Sequence, residues 1–211
     1  MRTPARSILG ALSVAVCVLG LAQDGGAQSQ LDATHRAALE RFLQASRTRA
    51  VISHSGVPAM IAAAAMNEWG FGLADLRVAE IVPDVDGRAL DDRIVEIHGR
   101  HLTAEQAAGA AAFYESAPST RMLAHLLRGS LPASDPLARG DVGPPSESDR
   151  QAFQQFSESA LGAHIRAVTP LITEGVLQAV DEAAGRAIER YVTRNGLPHR
   201  RLQRAPTGKV P

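Results

Sequence analysis

Cysteine is almost missing from this chain: one residue in 211, Cys17, lies inside an uncharged N-terminal run from Ile8 to Ala22. Loss of that run by processing would leave no thiol. The remaining chain would then form no disulfide, no Cys nucleophile and no thiolate metal site. Lysine is equally scarce, with Lys209 standing against 21 arginines. Aromatic residues make up 4%, so any core must be built from Ala, Leu, Ile and Val. Strict apolar–polar alternation is missing, which argues against a sheet, and the Ala-rich composition favours helix. Phosphate-binding glycine loops, GxSxG and HExxH are missing too, so the common nucleotide-binding, serine-hydrolase and zinc-protease patterns are not met.

The N-terminus reads as an export signal. Arg2 and Arg6 precede the run Ile8–Ala22, which is short for a bilayer span of about 20 residues. Gly25 and Ala27 then place small residues at −3 and −1 of a processing site, predicting cleavage after Ala27 and a periplasmic or secreted product. Retention of the run as an anchor is the alternative. Formal charge over the whole chain is zero. From Arg194 onward, however, there are five basic residues and no acid, while residues 28–193 carry 15 basic and 21 acidic residues. An acidic body argues against nucleic acid as a partner. The tail, 194–211, reads as disordered, and Arg200, Arg201 and Arg204 would supply at most weak contact with an anionic membrane surface.

Helical periodicity organises the rest. One helix is predicted from Ala33 to Ser53, with Leu39, Phe42, Leu43, Ser46 and Ala50 on one face, broken by Gly56-Val57-Pro58. A second covers Ala59–Glu68 and exposes a small-residue surface. The aromatics of Trp69-Gly70-Phe71-Gly72 follow, then a short helix Leu73–Ile81 and an Asp- and Gly-rich turn at 83–87. Leu90–His98 is predicted helical. Thr103-Ala104-Glu105-Gln106 is a capping box opening the next helix, and Ser116-Ala117-Pro118 starts another. Residues 129–145, rich in Pro, Gly and Ser, read as a surface loop. Helices from Ser146 or Ser148 to Val168 and from Pro170 to about Tyr191 complete the chain. The expected fold is all-α: one bundle of about seven or eight short helices.

A shift of 43 residues lays Phe113-Tyr114-Glu115-Ser116-Ala117 on Phe156-Ser157-Glu158-Ser159-Ala160 and Thr103 on Ser146. This predicts an internal helical-hairpin repeat whose copies pack on each other. Residues Ile94 to Leu127, through Leu102-Thr103-Ala104-Glu105 and Phe113-Tyr114-Glu115-Ser116, resemble the bacterial family called domain of unknown function 2059. Ala117, Ser119 and Arg121 replace that pattern's Pro, Gly and Lys, and a degenerate second copy lies near Phe156–Gly162. The resemblance implies a small exported helical protein and supplies no catalytic residues.

Candidate chemistry is sparse. His98 and His101, three apart, share a helix face, and with Glu105 they would supply three metal ligands. The simpler alternative is packing at the helix–turn junction. Asp84-Val85-Asp86-Gly87 fails the calcium-loop spacing, because Gly87 comes fourth, and needs only a turn to explain it. Glu115 and Glu158, equivalent in the repeat, form a possible acid–base pair, or else pair with Arg121 or Arg166. No cofactor is expected. The favoured reading is a non-enzymatic exported protein acting through helix surfaces on an unknown partner, on itself or on a membrane face. A hydrolase using His98, His101 and nearby carboxylates is one alternative. A carrier of a small apolar ligand near Trp69 and Phe71 is another.

Overall fold

The computed structural model describes residues 31–69, 77–140 and 143–197. The proposed signal peptide with Cys17, Phe71, and Arg200, Arg201 and Arg204 lie outside them. The described residues form α1 (Ala33–Ala45), α2 (Thr48–Val51), a π-turn (Ile52–Gly56), α3 (Val57–Glu68) and α4 (Val78–Ile81), which runs into a 3-10 turn (Val82–Asp84). Then come α5 (Gly87–Gly99), α6 (Ala104–Tyr114), α7 (Ala117–Leu126), α8 (Pro136–Arg139), α9 (Glu147–Glu158) and α10 (Ala160–Arg194). No strand occurs among the described residues, and the fold is an all-α bundle.

The caps follow the sequence closely. The Thr103 hydroxyl accepts the Gln106 N–H at 3.2 Å while the Gln106 side chain accepts the Thr103 N–H at 2.9 Å. Ser146 and Asp149 make the same reciprocal pair at 3.2 and 3.0 Å. Ser116 and Ser159 each cap the helix that follows. These matching caps lie 43 residues apart, yet α7 has 10 residues and α10 has 35. The correspondence is therefore one of local capping. At the other end, Gly196 adopts φ +59, the Leu197 N–H reaches the Val192 carbonyl at 3.1 Å and the Gly196 N–H reaches Thr193 at 3.3 Å. That is the left-handed glycine stop of a helix C-terminus.

Four boundaries differ from expectation. The helix expected from Ser146 or Ser148 to Val168 ends at Glu158, because Ser159 turns extended and its side chain caps the Gly162 N–H of the next helix. The first helix ends at Ala45, because Ser46 hydrogen-bonds Thr48 and Arg47 turns left-handed at φ 61. No Gly or Pro announces that break; Arg47 is held from outside by an ion pair to Asp135, 3.7 Å away. Conversely, Gly56-Val57-Pro58 does not break the chain. Pro58 lacks an N–H and its ring crowds the carbonyl four residues back, and the turn before it widens so that the Val57 N–H bonds Ile52. Pro170 does not start a helix either; it sits inside α10, exposed on the outer side. The bundle's last helix is thus long rather than short. The loop at 129–145 contains α8, with Asp135 capping the Leu137 N–H and Leu131 buried.

The core is small-residue packing. Val176, Ala179, Val180, Ala183, Ala184, Ala187, Ile188 and Val192 recur at helical spacing along α10, all buried. They meet Ile61, Ala64 and Ala65 of α3 and Ile94 and Ile97 of α5 within one cluster. Alanines on facing helices let the axes come close, as ridge-into-groove packing requires. Leu39, Phe42 and Leu43 of α1 pack in the same cluster with Ala107, Ala110 and Ala111 of α6.

Candidate functional site

The junction between α5 and α6 gathers most of the proposed chemistry. A helix leaves its last carbonyls without intrahelical partners. Here the His98 carbonyl accepts the His101 and Leu102 N–H groups at 3.0 and 2.9 Å. In the turn that follows, the carbonyls of His101 and Leu102 are met by imidazoles from other helices. His164 Nε2, on α10, lies 3.0 Å from the His101 oxygen, and His35 Nε2, on α1, lies 2.7 Å from the Leu102 oxygen. A ring nitrogen facing a carbonyl carries its proton, so both rings donate. The turn is clamped to α1 and α10 by two histidines 67 and 63 residues away in sequence. Local spacing carries no signal for either.

His98 itself is buried, with Nδ1 2.8 Å from the Ile94 carbonyl and the ring edge-on to Phe42 at 6.0 Å. Burial lowers its pKa, the bond to the Ile94 carbonyl partly offsets this, and His101 and Arg49 lower it further. His101 is half-buried; burial, then Arg100 and His164, lower its pKa too. Glu105 is exposed in the first turn of α6. His98, His101 and Glu105 are not gathered together: among the described residues no group of three or more His, Cys, Asp or Glu side chains is placed to hold a metal ion.

The acids proposed as a catalytic pair have separate partners. Glu115 receives a two-point contact from Arg41 of α1, at 2.8 and 2.5 Å, which lowers its pKa. Glu158 accepts from Gln154. Arg121 pairs with Asp149 at 3.0 and 2.5 Å, and Arg166 donates to the Ser157 carbonyl. Hydrogen bonds from Arg121 and Ser146 hold the Asp149 carboxyl well below the usual range. Asp86 is the N-cap of α5, and Asp84 pairs with Arg194, so the acidic turn is used structurally. The two repeat-related phenylalanines do meet: the Phe113 and Phe156 rings stack at 3.7 Å with planes 4° apart.

Comparison with known proteins yields no match: no family model, no curated protein and no solved structure.

Two surface features remain. One is a groove of about 120 Å³ between α5 and α10, lined chiefly by Arg93, Arg100, His101, Leu171, Gln178 and Glu182. Trp69, near which an apolar carrier site was expected, is buried and is not among its lining residues. The other is α3. Val57, Ile61, Ala64 and Ala65 face inward; Ala59, Ala62, Ala63 and Met66 lie on the opposite side, where Met66 is 39% exposed. Together with α2 and the π-turn, it forms the stretch Thr48–Asn67, long and apolar enough by length and composition to cross a membrane, of which 28% of the most apolar part is buried.

Proposed function

We propose that this chain is an exported, non-enzymatic protein that works through helix-surface contacts, and that its partner on α3 is a second copy of itself. The observation that carries the reading is α3, a helix apolar from Val57 to Met66 whose outer face is half-buried at Ala59, Ala62 and Ala63 and exposed at Met66. A helix of that pattern normally lies wholly inside a core or a membrane. The outer face of Ala59, Ala62, Ala63 and Met66 contains no charge, so two copies meet without like-charge repulsion. Alanines of one helix form the hollow that the Met66 side chain of the other fills. Closed two-fold pairing is the commonest assembly of soluble chains and needs only a self-complementary patch. One 12-residue helix against another is a small interface, so the dimer is reversible. The charge pattern of residues 1–27 and the resemblance of Ile94–Leu127 to an exported helical family support the same compartment.

Sedimentation of the purified protein over a hundredfold concentration range tests this. The mass is expected to rise toward twice that of the monomer, and Met66→Glu, on the exposed face, is expected to remain monomeric with unchanged helical circular dichroism. A mass independent of concentration would overturn self-association. Flotation of a monomer with lipid vesicles would assign α3 to a membrane face instead.

A further inference from the structure

The groove between α5 and α10 is built by a register that leaves one cation unsatisfied. Arg93 and Arg100 are seven residues apart, two helical turns, and therefore share a face of α5. Across from them, Leu171, Gly175, Gln178 and Glu182 form one stripe of α10 at helical spacing. The helices close on each other where Ile97 seats against Gly175: a Cβ there would sit 3.1 Å from an Ile97 methyl. Beside that contact the axes leave a hollow of about 120 Å³. Of its charged groups, Arg93 pairs with Glu96 at 3.1 Å, and Glu182 accepts from Gln178 at 3.1 Å with Arg186 3.8 Å away. Among the described residues Arg100 makes no ion pair, and its charge acts unfavourably on the neighbouring His101.

We propose that this groove binds a small organic monocarboxylate. The Arg100 guanidinium faces the carboxylate with the two parallel N–H donors that suit it, His101 lies alongside, and Leu171, Ile97 and Ala179 receive a short carbon body. The hollow is small, about 120 Å³, close to the roughly 150 Å³ that accommodates a benzene-sized molecule, so a short carbon body fills it. Charge limits the ligand as well. The charged lining groups are Arg93, Arg100 and Glu182, a single net positive charge that one carboxylate neutralises, whereas the second charge of a dianion such as phosphate would face Glu182 without a partner. The site is separate from the α3 face and stands or falls independently of self-association.

The probe is sodium propionate, titrated at constant ionic strength while the His101 ring and Arg100 side-chain resonances are followed by NMR. Saturable shifts with a dissociation constant in the millimolar range are expected, in keeping with about five ligand atoms. Arg100 is exposed, so Arg100→Ala retains the fold by circular dichroism, and it is expected to weaken binding by about tenfold or more. Shifts that grow linearly with propionate, or saturable binding unchanged in Arg100→Ala, would overturn the site. Equal saturation by inorganic phosphate would overturn the monocarboxylate class.

Discussion

Replacing Gly162 with alanine is expected to destabilise the fold by about 3 kcal/mol or more, although Gly→Ala inside a helix ordinarily stabilises by up to about 1 kcal/mol. The sign follows from the corner between α9 and α10. A Cβ on Gly162 would fall on the Phe156 carbonyl oxygen and lie 2.8 Å from the Ser157 Cα. Both obstacles are backbone, so no side chain can rotate away. The Phe156 carbonyl is also pinned, receiving the Ser159 hydroxyl at 2.6 Å and the Ser159 N–H at 3.1 Å. The Ser159 oxygen in turn caps the Gly162 N–H at 3.1 Å. Opening the corner would sacrifice the cap and shift the Phe156 ring off Phe113. Urea denaturation of the variant measures the cost. Wild-type stability in Gly162→Ala would show that the corner is looser than described. The corresponding corner of the first hairpin carries Ser119, which is fully buried, so the clash belongs to the second corner.

The second large effect is acid sensitivity centred on His98. Burial lowers its folded pKa below the ordinary value near 6.5. Between those two values the unfolded chain holds more protons than the native one, so stability rises with pH across that window. The contribution is complete above about pH 6.5 and is lost as pH falls toward the folded pKa. One proton changes stability by at most about 1.4 kcal/mol per pH unit. His101 acts in the same direction from a half-buried position. Asp149 acts in a lower window. Its pKa is depressed by Arg121 and Ser146, so its contribution persists until pH falls below the ordinary carboxylate range near 4. Urea midpoints at pH 7.5 and 5.0 are expected to separate clearly for the wild type and less in His98→Met, which keeps an apolar side chain of similar length and leaves the His101 contribution in place. An undiminished pH slope in that variant would remove His98 as the cause.

Much of the local structure is legible in the sequence, because capping is a short-range hydrogen-bonding problem. Thr103 and Ser146 cap helices with the residue three places on, Gln106 and Asp149, and Ser116 and Ser159 each cap the helix that follows, the last dividing what the period alone reads as one helix. The inward faces Leu39–Phe42–Leu43, Ile94–Ile97 and Val176–Val180–Ala184–Ile188 follow directly from a 3.6-residue period. Where the reading fails, tertiary contacts override local preference. Arg47 breaks the first helix without a glycine because Asp135 holds it, Pro58 is carried through by the widened turn before it, and Pro170 sits exposed in a helix whose buried face begins after it. Helix α8 was accessible, since Asp135-Pro136 is a cap followed by a first-turn proline. The surface groove was half accessible: Arg93 and Arg100 share a face by arithmetic, but nothing local says that the Leu171–Glu182 stripe lies opposite.

Helix α10 has a mechanical meaning beyond its length. Apart from Gly162 at its first corner, its buried residues all follow Pro170, so the proline marks where anchorage begins. The portion from Val176 to Val192 is a keel, gripped by the remaining helices, and its burial makes it the part expected to open last. The portion from Ala160 to Thr169 is held by half-buried Leu161, Ile165 and Val168, with a hydroxyl from Thr169 bonding the Ile165 carbonyl one turn back. It carries α9 with it through the capped corner. A single unbroken helix is thus expected to have two rates of hydrogen exchange, slow where it is buried and faster before Pro170.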